Sequence, residues 1–395
     1  MANEHILSLV RHFCFREDLS TDDPYDVWKT KLGFKVKNLF NCNRILGIGP
    51  AAILTVVDSY INNRTRFFYR QQEYPIVRAW AVQILLSAHQ IDPKDVYLDY
   101  AVKHLNWLSK NSAPGYKGMG WGIGFELPIS CDLVYAANTP FATITPYVLE
   151  AFVKFHQSTG RQDFNSHLRD IKTFFDEDIQ ILRQSENQLA TSYGPQRDRI
   201  VINAVAYAMY AYSLLLKARI WDDHDRIREK ILQLYQFIVA NQNRDGSWFY
   251  SPDGKSFIDC FHSAIVIKNI VKTNQTLTLP GASEVVTRSY RYLKENLFDS
   301  QEFLFKRFAV KNKPSIVKFD LYDNAEALNL AILLNDNAFA KRLSSSIAKT
   351  FCRGKVVYSQ IGLLGIKQNR EMLRWAIMPY LFALTKAVQT NIIAD

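Results

Sequence analysis

NQNRDGSWFYSPDGKSFIDCFHSAIVIKN, residues 241–269, ends one helical run, crosses a polar and aromatic loop, and starts a second helix. The two Asp-Gly pairs, at 245–246 and 253–254, are typical of turns. Ser256 and Asp259 give a start signal of the capping-box kind ahead of an apolar run. A loop between two helices is a place where a helical scaffold can carry a site. The stretch therefore predicts a helix–loop–helix unit with functional side chains at the start of its second helix.

Helical periodicity dominates from about residue 48 to the end of the chain, and alternating strand patterns are scarce. The predicted helices lie near 49–61, 74–90, 95–110, 141–158, 164–184, 199–217, 223–242, 257–273, 281–297, 321–333, 336–352 and 369–388. Long loops precede helices at intervals of roughly 50 to 70 residues, about one helical hairpin per interval. These loops are 115–126, 191–196, 243–256, 303–320 and 356–370.

This spacing predicts an all-α fold, an (α/α)6 toroid of about six helical hairpins with long aromatic loops on one face. In such a barrel the N-terminal ends of the inner helices and the loops before them converge on one mouth. An open solenoid is the alternative, but loops rich in Trp, Tyr and Gly fit a concave mouth better than a ridge. No Pro-, Gly- or Ser-rich linker divides the chain. We therefore expect one toroid domain over 46–395, with an irregular lead-in over 1–45 that packs on it.

The composition is that of a soluble protein with a large core, with 48% apolar, 22% charged and 13% aromatic residues. Five scattered cysteines without a CxxC pair favour a reducing compartment over a disulfide framework or a zinc site. The N-terminus lacks a signal-peptide pattern, and no stretch reaches 18 uninterrupted apolar residues. P-loop, Rossmann and EF-hand motifs are absent from the sequence. We therefore expect a cytoplasmic protein with no transmembrane segment, no metal and no cofactor.

The net charge of +10 suits an anionic partner such as nucleic acid, anionic lipid or an acidic polysaccharide. A basic surface without a specific partner is the simpler alternative. Because the basic residues are dispersed and form no known recognition module, no specific nucleic-acid partner is predicted.

His262 and Asp259 are the leading catalytic candidates, because a spacing of three places them on one face of a helix. Asp259 could orient His262 for proton transfer, although capping alone also explains an Asp at that position. Tyr193, in TSYGPQ, could act as the partner acid or base. Glu126 and Asp320 are further candidates, because glycoside cleavage uses paired carboxylates.

Candidates for substrate binding lie in the same loops and first helical turns. Trp121 and Trp248 could stack sugar rings on exposed indole faces, and burial in the core is the alternative for Trp121. Arg374 could bind an anionic sugar group, while an Arg whose stem covers a core Trp is the other interpretation. The remaining candidates are Asn138, Asn203, Tyr250, Asn324 and Trp375.

Six segments carry a resemblance to a known family. They are DPYDVWKTKLGFK (23–35), MGWGIGFE with NTPFATITPYVLEAF (within 119–152), TSYGPQRDRIVINAVAYA (191–208), NQNRDGSWFYSPDGKSFIDCFHSAIVI (241–267), FDLYDNAEALNLAILL (319–334) and MLRWAIMPYLFAL (372–384). In this order they resemble bacterial proteins encoded with exopolysaccharide, capsule or lipopolysaccharide assembly genes, which are related at fold level to six-hairpin glycosidases and polysaccharide lyases.

The resemblance implies an α/α toroid in a polysaccharide context. It also implies one mouth that gathers Trp121, Asn138, Trp248, Asp259, His262, Arg374 and Trp375. The chain departs from the family pattern around Glu126, and also at 320–322, where Asp-Leu-Tyr replaces the usual Asp-Ile-His.

We therefore expect a carbohydrate-active protein of polysaccharide or glycoconjugate biosynthesis that acts on an oligosaccharide or polysaccharide precursor, acidic or neutral. The candidate residues fit proton abstraction beside a uronate carboxylate, as in a lyase or epimerase, better than glycoside hydrolysis. A non-enzymatic glycan-binding or scaffold protein, with other polysaccharide-assembly proteins as partners, is the second hypothesis. A terpene-cyclase-like enzyme is the third, because NQNRDGSW is weakly similar to the QW repeats of those enzymes; their acidic DxDD signature is absent.

Overall fold

Helices make up most of the chain in the computed structural model, which describes residues 2–221, 223–309, 315–354 and 356–393. The helices are α1 (Ala2–Cys14), α2 (Asp26–Lys29), α3 (Lys31–Cys42), α4 (Arg44–Val56), α5 (Pro75–Ile91), α6 (Asp95–Lys110), α7 (Thr145–Thr159), α8 (Asn165–Thr173), α9 (Ile202–Ala218), α10 (His224–Ala240), α11 (Cys260–Asn274), α12 (Ala282–Asn296), α13 (Leu321–Leu333), α14 (Asn337–Phe351) and α15 (Met378–Gln389). Turns of π-helix at Val57–Ile61 and Phe174–Asp178 extend α4 and α8, and a third at Leu373–Ile377 leads into α15.

Six helices close into an inner ring, in the order α5, α7, α9, α11, α13, α15 and back to α5. The outer helices pack against them: α6 on α5, α8 on α7, α10 on α9, α12 on α11, α14 on α13, and α1 on both α5 and α15. The sequence explains the two layers. Inner α13 is buried from Leu321 through Ile332, whereas outer α12 buries a stripe at helical spacing and exposes a charged face. The predicted (α/α)6 toroid is confirmed.

The helices predicted from residue 74 onward are present, although some of their ends differ. The first 45 residues differ more, because they form α1, α2 and α3 instead of an irregular lead-in. In α1 the apolar side chains of Ile6, Val10 and Phe13 are buried in the core at helical spacing. Helix α1 thus completes the outer layer, and the division of the chain at residue 45 stays a prediction.

Short antiparallel strands lie in the loops. They are β1 (Leu127–Pro128) with β2 (Val134–Tyr135), β3 (Ile181–Gln184) with β4 (Leu189–Thr191), β5 (Phe298–Asp299) with β6 (Leu304–Phe305), and β9 (Val356–Gly362) paired with β7 (Val317–Asp320), β8 (Cys352–Arg353) and β10 (Lys367–Arg370). Residues 181–184 and 369–370 were predicted as helix. Their strands pair with loop segments that helical periodicity does not register.

Cys42 and Cys131 form a disulfide that bridges 89 positions of sequence and ties α3 to the connection between β1 and β2. This corrects the expectation of unpaired cysteines, since no local spacing motif marks a pair so far apart. Cys14, Cys260 and Cys352 are free thiols. The cytoplasmic location, which rested partly on cysteine usage, stays a prediction.

One helix in the described part of the chain, Arg44–Ile61, is long and apolar enough to cross a bilayer by length and composition. It has 18 residues with a mean hydropathy of 1.4, and 11% of it is buried. The sequence criterion missed it because Gly, Pro, Thr and the charged Asp58 interrupt the apolar run. The expected absence of a transmembrane segment stays a prediction.

Candidate functional site

The N-terminal ends of the six inner helices surround a cleft with a volume of about 560 Å³. Each inner helix contributes a residue from its first turn or from the π turn before it. These residues are Ile76 of α5, Tyr147 of α7, Asn203 of α9, His262 of α11, Tyr322 of α13 and Trp375 before α15. Helix N-termini carry partial positive charge from unpaired backbone N–H groups, so the mouth favours an anionic ligand.

Asp259 and His262 form a hydrogen-bonded pair at this mouth. Asp259 is the N-cap of α11, and its Oδ1 accepts the backbone N–H of His262 at 3.0 Å. Its Oδ2 lies 2.7 Å from His262 Nδ1. Because an ionised carboxylate only accepts, Nδ1 carries the proton and Nε2 keeps its lone pair. The cap therefore also sets the tautomer that a general base needs.

Aromatic side chains enclose the ring of His262 and form one wall of the cleft. The ring centroids of Phe261 and Tyr250 lie 3.8 and 4.8 Å from that of His262. Phe261 also contacts Tyr322 and Trp375, at 5.3 and 5.9 Å. A wall of this kind suits the apolar faces of a sugar ring.

Arg307 lines the cleft beside this wall, with its guanidinium carbon 5.3 Å from the ring centroid of Phe261 and 5.1 Å from that of Trp375. Its Nε donates to Asp323 Oδ2 at 3.0 Å, and its Nη2 lies 3.3 Å from Asp320 Oδ2. Burial raises the pKa of Asp323 to about 7, with Asp320 and Asp259 acting in the same direction and Arg307 opposing them. Burial disfavours the charge on Arg307, but these carboxylates outweigh it and raise the pKa of the guanidinium. Arg307 therefore stays charged.

Arg374 lines the cleft, but a carboxylate already occupies its guanidinium. Its Nε and Nη2 both donate to buried Asp23, the latter at 2.7 Å. The guanidinium also lies 5.0 Å from the ring of Tyr74. Arg374 is therefore a poor match for the predicted role of binding a sugar carboxylate.

Arg199 is the better candidate for an anion. It lines the cleft, and its buried Nε has no hydrogen-bond partner among the described residues. Its guanidinium carbon lies 4.6 Å from the ring centroid of Tyr193 and 6.0 Å from that of Tyr250. Asp198, outside the cleft lining, is a charged neighbour of Arg199, and no described carboxylate in the cleft pairs with this guanidinium. Tyr250 in turn contacts His262, so Arg199 lies one aromatic ring away from the base.

Tyr193 and Asn203 also face the cleft. The hydroxyl of Tyr193 accepts a hydrogen bond from Thr143 Oγ1 at 3.2 Å, which leaves its own proton for donation. Asn203 Oδ1 is buried without a protein partner among the described residues, so it can accept from a ligand hydroxyl.

Trp121 and Trp248 are not stacking platforms. Both indoles are buried, at 0% and 3% exposure. Each N–H donates to a carbonyl of an outer helix, Trp121 to Leu108 at 3.0 Å and Trp248 to Ile238 at 2.9 Å. A Trp in a glycine-containing loop was predicted to be a sugar platform. In both cases it instead anchors the loop to the outer helix that precedes it, α6 for Trp121 and α10 for Trp248.

Four further candidates lie outside the cleft lining. Asp320 is fully buried, and its oxygens accept from Tyr322 N, Gln360 Nε2 and Trp375 Nε1. Asn324 is also buried and is bonded to the backbone of Phe305 and Asp320. Glu126 and Asn138 are exposed at the surface. Asp320 and Asn324 therefore hold the fold rather than substrate.

The structure gathers seven of the thirteen candidates in the cleft, and their roles stay predictions. They are Tyr193, Asn203, Tyr250, Asp259, His262, Arg374 and Trp375. Sequence reasoning missed Arg199 and Arg307, although each is a basic residue in a loop that precedes an inner helix. In the described part of the chain, no group of three His, Cys, Asp or Glu side chains could hold a metal ion.

No protein-family model and no curated protein matches the chain. Solved structures do match. A cellobiose 2-epimerase from Bacillus thermoamylovorans has a TM-score of 0.62 at 12% identity, over 80% of this chain and 88% of the epimerase. A GH76 α-mannanase from Bacteroides thetaiotaomicron has a TM-score of 0.62 at 11% identity, over 94% and 100%. A polysaccharide lyase has a TM-score of 0.56 at 10% identity, over 93% and 99%. At these identities the likeness shows a shared fold, the α/α toroid.

Proposed function

We propose that this protein is a carbohydrate-active enzyme that abstracts a proton from the carbon beside a uronate carboxylate, as a lyase or an epimerase does. The hydrogen-bonded pair of Asp259 and His262 at the mouth carries the proposal. The fold supports it, since the toroid is similar to proteins described as a sugar epimerase, a mannanase and a polysaccharide lyase.

In this mechanism His262 Nε2 takes the proton, and the electron pair of the broken C–H bond moves toward the uronate carboxylate. Arg199 and the helix N-termini stabilise the negative charge that develops there. Tyr193 supplies the second proton. If Tyr193 donates this proton to a leaving oxygen on the next carbon, the reaction is an elimination. If the proton goes to the opposite face of the same carbon, the reaction is an epimerisation.

Glycoside hydrolysis fits the cleft less well. It needs two carboxyl groups that flank the scissile bond. Of the described residues that line the cleft, Asp259 is the one carboxylate, and it is already bonded to His262. Glu126 is exposed outside the cleft lining and Asp320 is buried behind it.

Two other hypotheses have less support. A purely glycan-binding protein needs no oriented base, yet Asp259 lies 2.7 Å from His262. A terpene-cyclase-like enzyme would need an apolar cavity, whereas this cleft contains Arg199 and Arg374.

We also propose a setting in polysaccharide or glycoconjugate biosynthesis in the cytoplasm, with an acidic oligosaccharide or polysaccharide precursor as substrate. The six segments that resemble polysaccharide-assembly proteins support the setting, and Arg199 supports the acidic substrate.

The test is loss of the proton beside the carboxylate in D2O, because it detects abstraction before the product is known. The protein is incubated with uronate-containing and with neutral oligosaccharides, and NMR follows that proton signal, which epimerisation replaces with deuterium and elimination removes as an unsaturated uronate forms. We expect loss of the signal with an acidic glycan, a rate at least a hundredfold lower in His262→Gln, and weaker binding of acidic glycans by Arg199→Gln. His89→Gln, near the C-terminal end of α5 and away from the mouth, is the matched control. Persistence of this proton signal with every acidic glycan, or an equal rate of its loss with His262→Gln, contradicts the proposal.

A further inference from the structure

Helix α4 and the segment after it present large apolar side chains to solvent, while α3 of the same hairpin lines the cleft with Lys37 and Asn41. We call this surface the apolar hairpin face. It consists of Ile45, Leu46, Ile48, Ile53, Val56, Ile61, Phe67 and Phe68. The two most exposed, Ile45 and Phe68, are 87% and 88% accessible. These eight exposed large apolar residues within positions 45–68 are a concentration of exposed apolar surface, and such surface marks an interaction site in a folded protein.

The face is exposed because α4 uses its other side to pack. A Cβ at Gly47 would lie 2.2 Å from Phe40 Cα, so glycine is required where α4 crosses α3. Because α4 packs on α3 through this small residue, its bulky residues have no packing partner in the described part of the fold. Only 11% of the 18-residue apolar helix is therefore buried.

Basic residues surround this face. Positions 27–72 contain eight Lys or Arg and one acidic residue, Asp58. Asp58 is buried and accepts a hydrogen bond from Tyr69 at 2.7 Å, so it adds little negative charge to the surface. The exposed basic residues are Lys31, Lys35, Arg44, Arg64 and Arg70. Lys29 and Arg66 pair with Asp26 just before this range, so the five exposed residues supply the positive charge of this surface.

Both ends of the apolar helix are fastened to the toroid. The disulfide of Cys42 holds the N-terminal side, and Asn63 exchanges hydrogen bonds of 2.8 and 3.0 Å with Asn369 beyond the C-terminal side. A helix of 18 residues is about 27 Å long. Because both ends are held on one body, the helix lies along its surface and does not project from it.

We propose that the apolar hairpin face docks on a membrane surface that contains anionic lipid. The apolar side chains enter the boundary between headgroups and acyl chains, and the Lys and Arg side chains contact the headgroups. Phe67 and Phe68 add aromatic side chains, which suit this interface. A second copy of the chain is a poorer occupant, since a two-fold interface would set the same basic surface against itself.

The test is co-sedimentation with vesicles of phosphatidylcholine alone and of phosphatidylcholine mixed with phosphatidylglycerol. We expect binding to the anionic vesicles that weakens with salt and is much weaker without phosphatidylglycerol. In the double variant Ile45→Ser and Phe68→Ser, affinity falls on the order of a hundredfold, because two exposed side chains lose their burial in lipid. The matched control is Val96→Ser with Ile181→Ser, two exposed apolar residues elsewhere, and it binds like the wild type.

Three results would overturn the proposal, provided thermal melting shows that each variant is folded. The first is that neither kind of vesicle binds the protein. The second is equal loss of affinity in the hairpin variant and in the control. The third is a dimer in light scattering that the hairpin variant abolishes, which would assign the face to a second copy. The experiment uses no glycan, so its outcome is independent of the proposed catalytic function.

Discussion

Replacing Asp259 with asparagine separates the two tasks of this carboxylate, which caps α11 and holds the ring of His262. The asparagine carbonyl can still accept the backbone N–H of His262. Its amide nitrogen can only donate, so it turns Nδ1 of His262 into an acceptor. The ring proton then moves to Nε2, the atom that faces the reaction in the proposed mechanism. The fold keeps its cap while the base loses its lone pair.

The expected magnitudes differ strongly between stability and catalysis. Asp and Asn are about equal as N-caps, and exchanging a charged for a neutral hydrogen bond costs about 1 kcal/mol of unfolding free energy. Asp259→Ala removes both the cap and the charged bond and costs about 3 kcal/mol. Loss of a general base lowers the rate by roughly a hundredfold to ten-thousandfold. Asp259→Asn should therefore be nearly as stable as the wild type and almost inactive.

Two measurements check this prediction. Nitrogen-15 NMR of the histidine rings reads the tautomer directly, with His262→Gln to assign the signal, and urea denaturation gives the free energy of unfolding. We expect protonated Nδ1 in the wild type and protonated Nε2 in Asp259→Asn. An Nε2–H tautomer in the wild type, or proton exchange within about threefold of wild type in Asp259→Asn, would refute the reasoning.

Further predictions concern buried groups. Trp121→Ala should lower the unfolding free energy by about 3–5 kcal/mol in urea, because the indole is core; a loss under ~1 kcal/mol contradicts this. Arg374→Gln should cost about 3–5 kcal/mol in the same assay, because buried Asp23 loses its cationic partner. Burial lowers the pKa of His104 to about 4, so the wild type should lose stability as pH falls from about 6.5 toward 4, by at most about 1.4 kcal/mol per pH unit; His104→Gln should remove that slope in thermal melting. Asp323 should change stability with pH in the opposite direction, because its pKa is raised to about 7. Its contribution to the unfolding free energy is full below about pH 4 and is lost as pH rises through 7. A flat difference between wild type and Asp323→Asn over that window would contradict the assignment.

The toroid was predictable because its information is local. A long loop with turn residues precedes most of the inner helices and predicts where each helix begins. The same loop-then-helix pattern recurs along the chain, about once per hairpin. The pairing of Asp259 with His262 was predictable for the same reason, since a spacing of three residues on a helix fixes their distance.

The rest of the site depends on contacts between distant segments. Arg374 pairs with Asp23 across 351 positions of sequence, and Arg199, before α9, lies 6.0 Å from the ring of Tyr250, before α11. Trp121 is buried because its loop folds back onto α6, which no pattern within the loop itself encodes. Closure of the ring brings Arg374 to Asp23, and folding of the loop brings Trp121 to α6. Helical periodicity in the sequence predicts neither contact.

The bond between Cys42 and Cys131 also has a mechanical meaning. It closes a covalent ring of chain that contains α4 and β1, and β1 pairs with β2 at the rim of the cleft. A load on α4 therefore reaches the rim through one sulfur–sulfur link, beside which Asn41 Nδ2 bonds to Pro128 O at 3.1 Å. With the thiols reduced, that load passes through hydrogen bonds and packing alone, and the rim and the hairpin become separately movable parts.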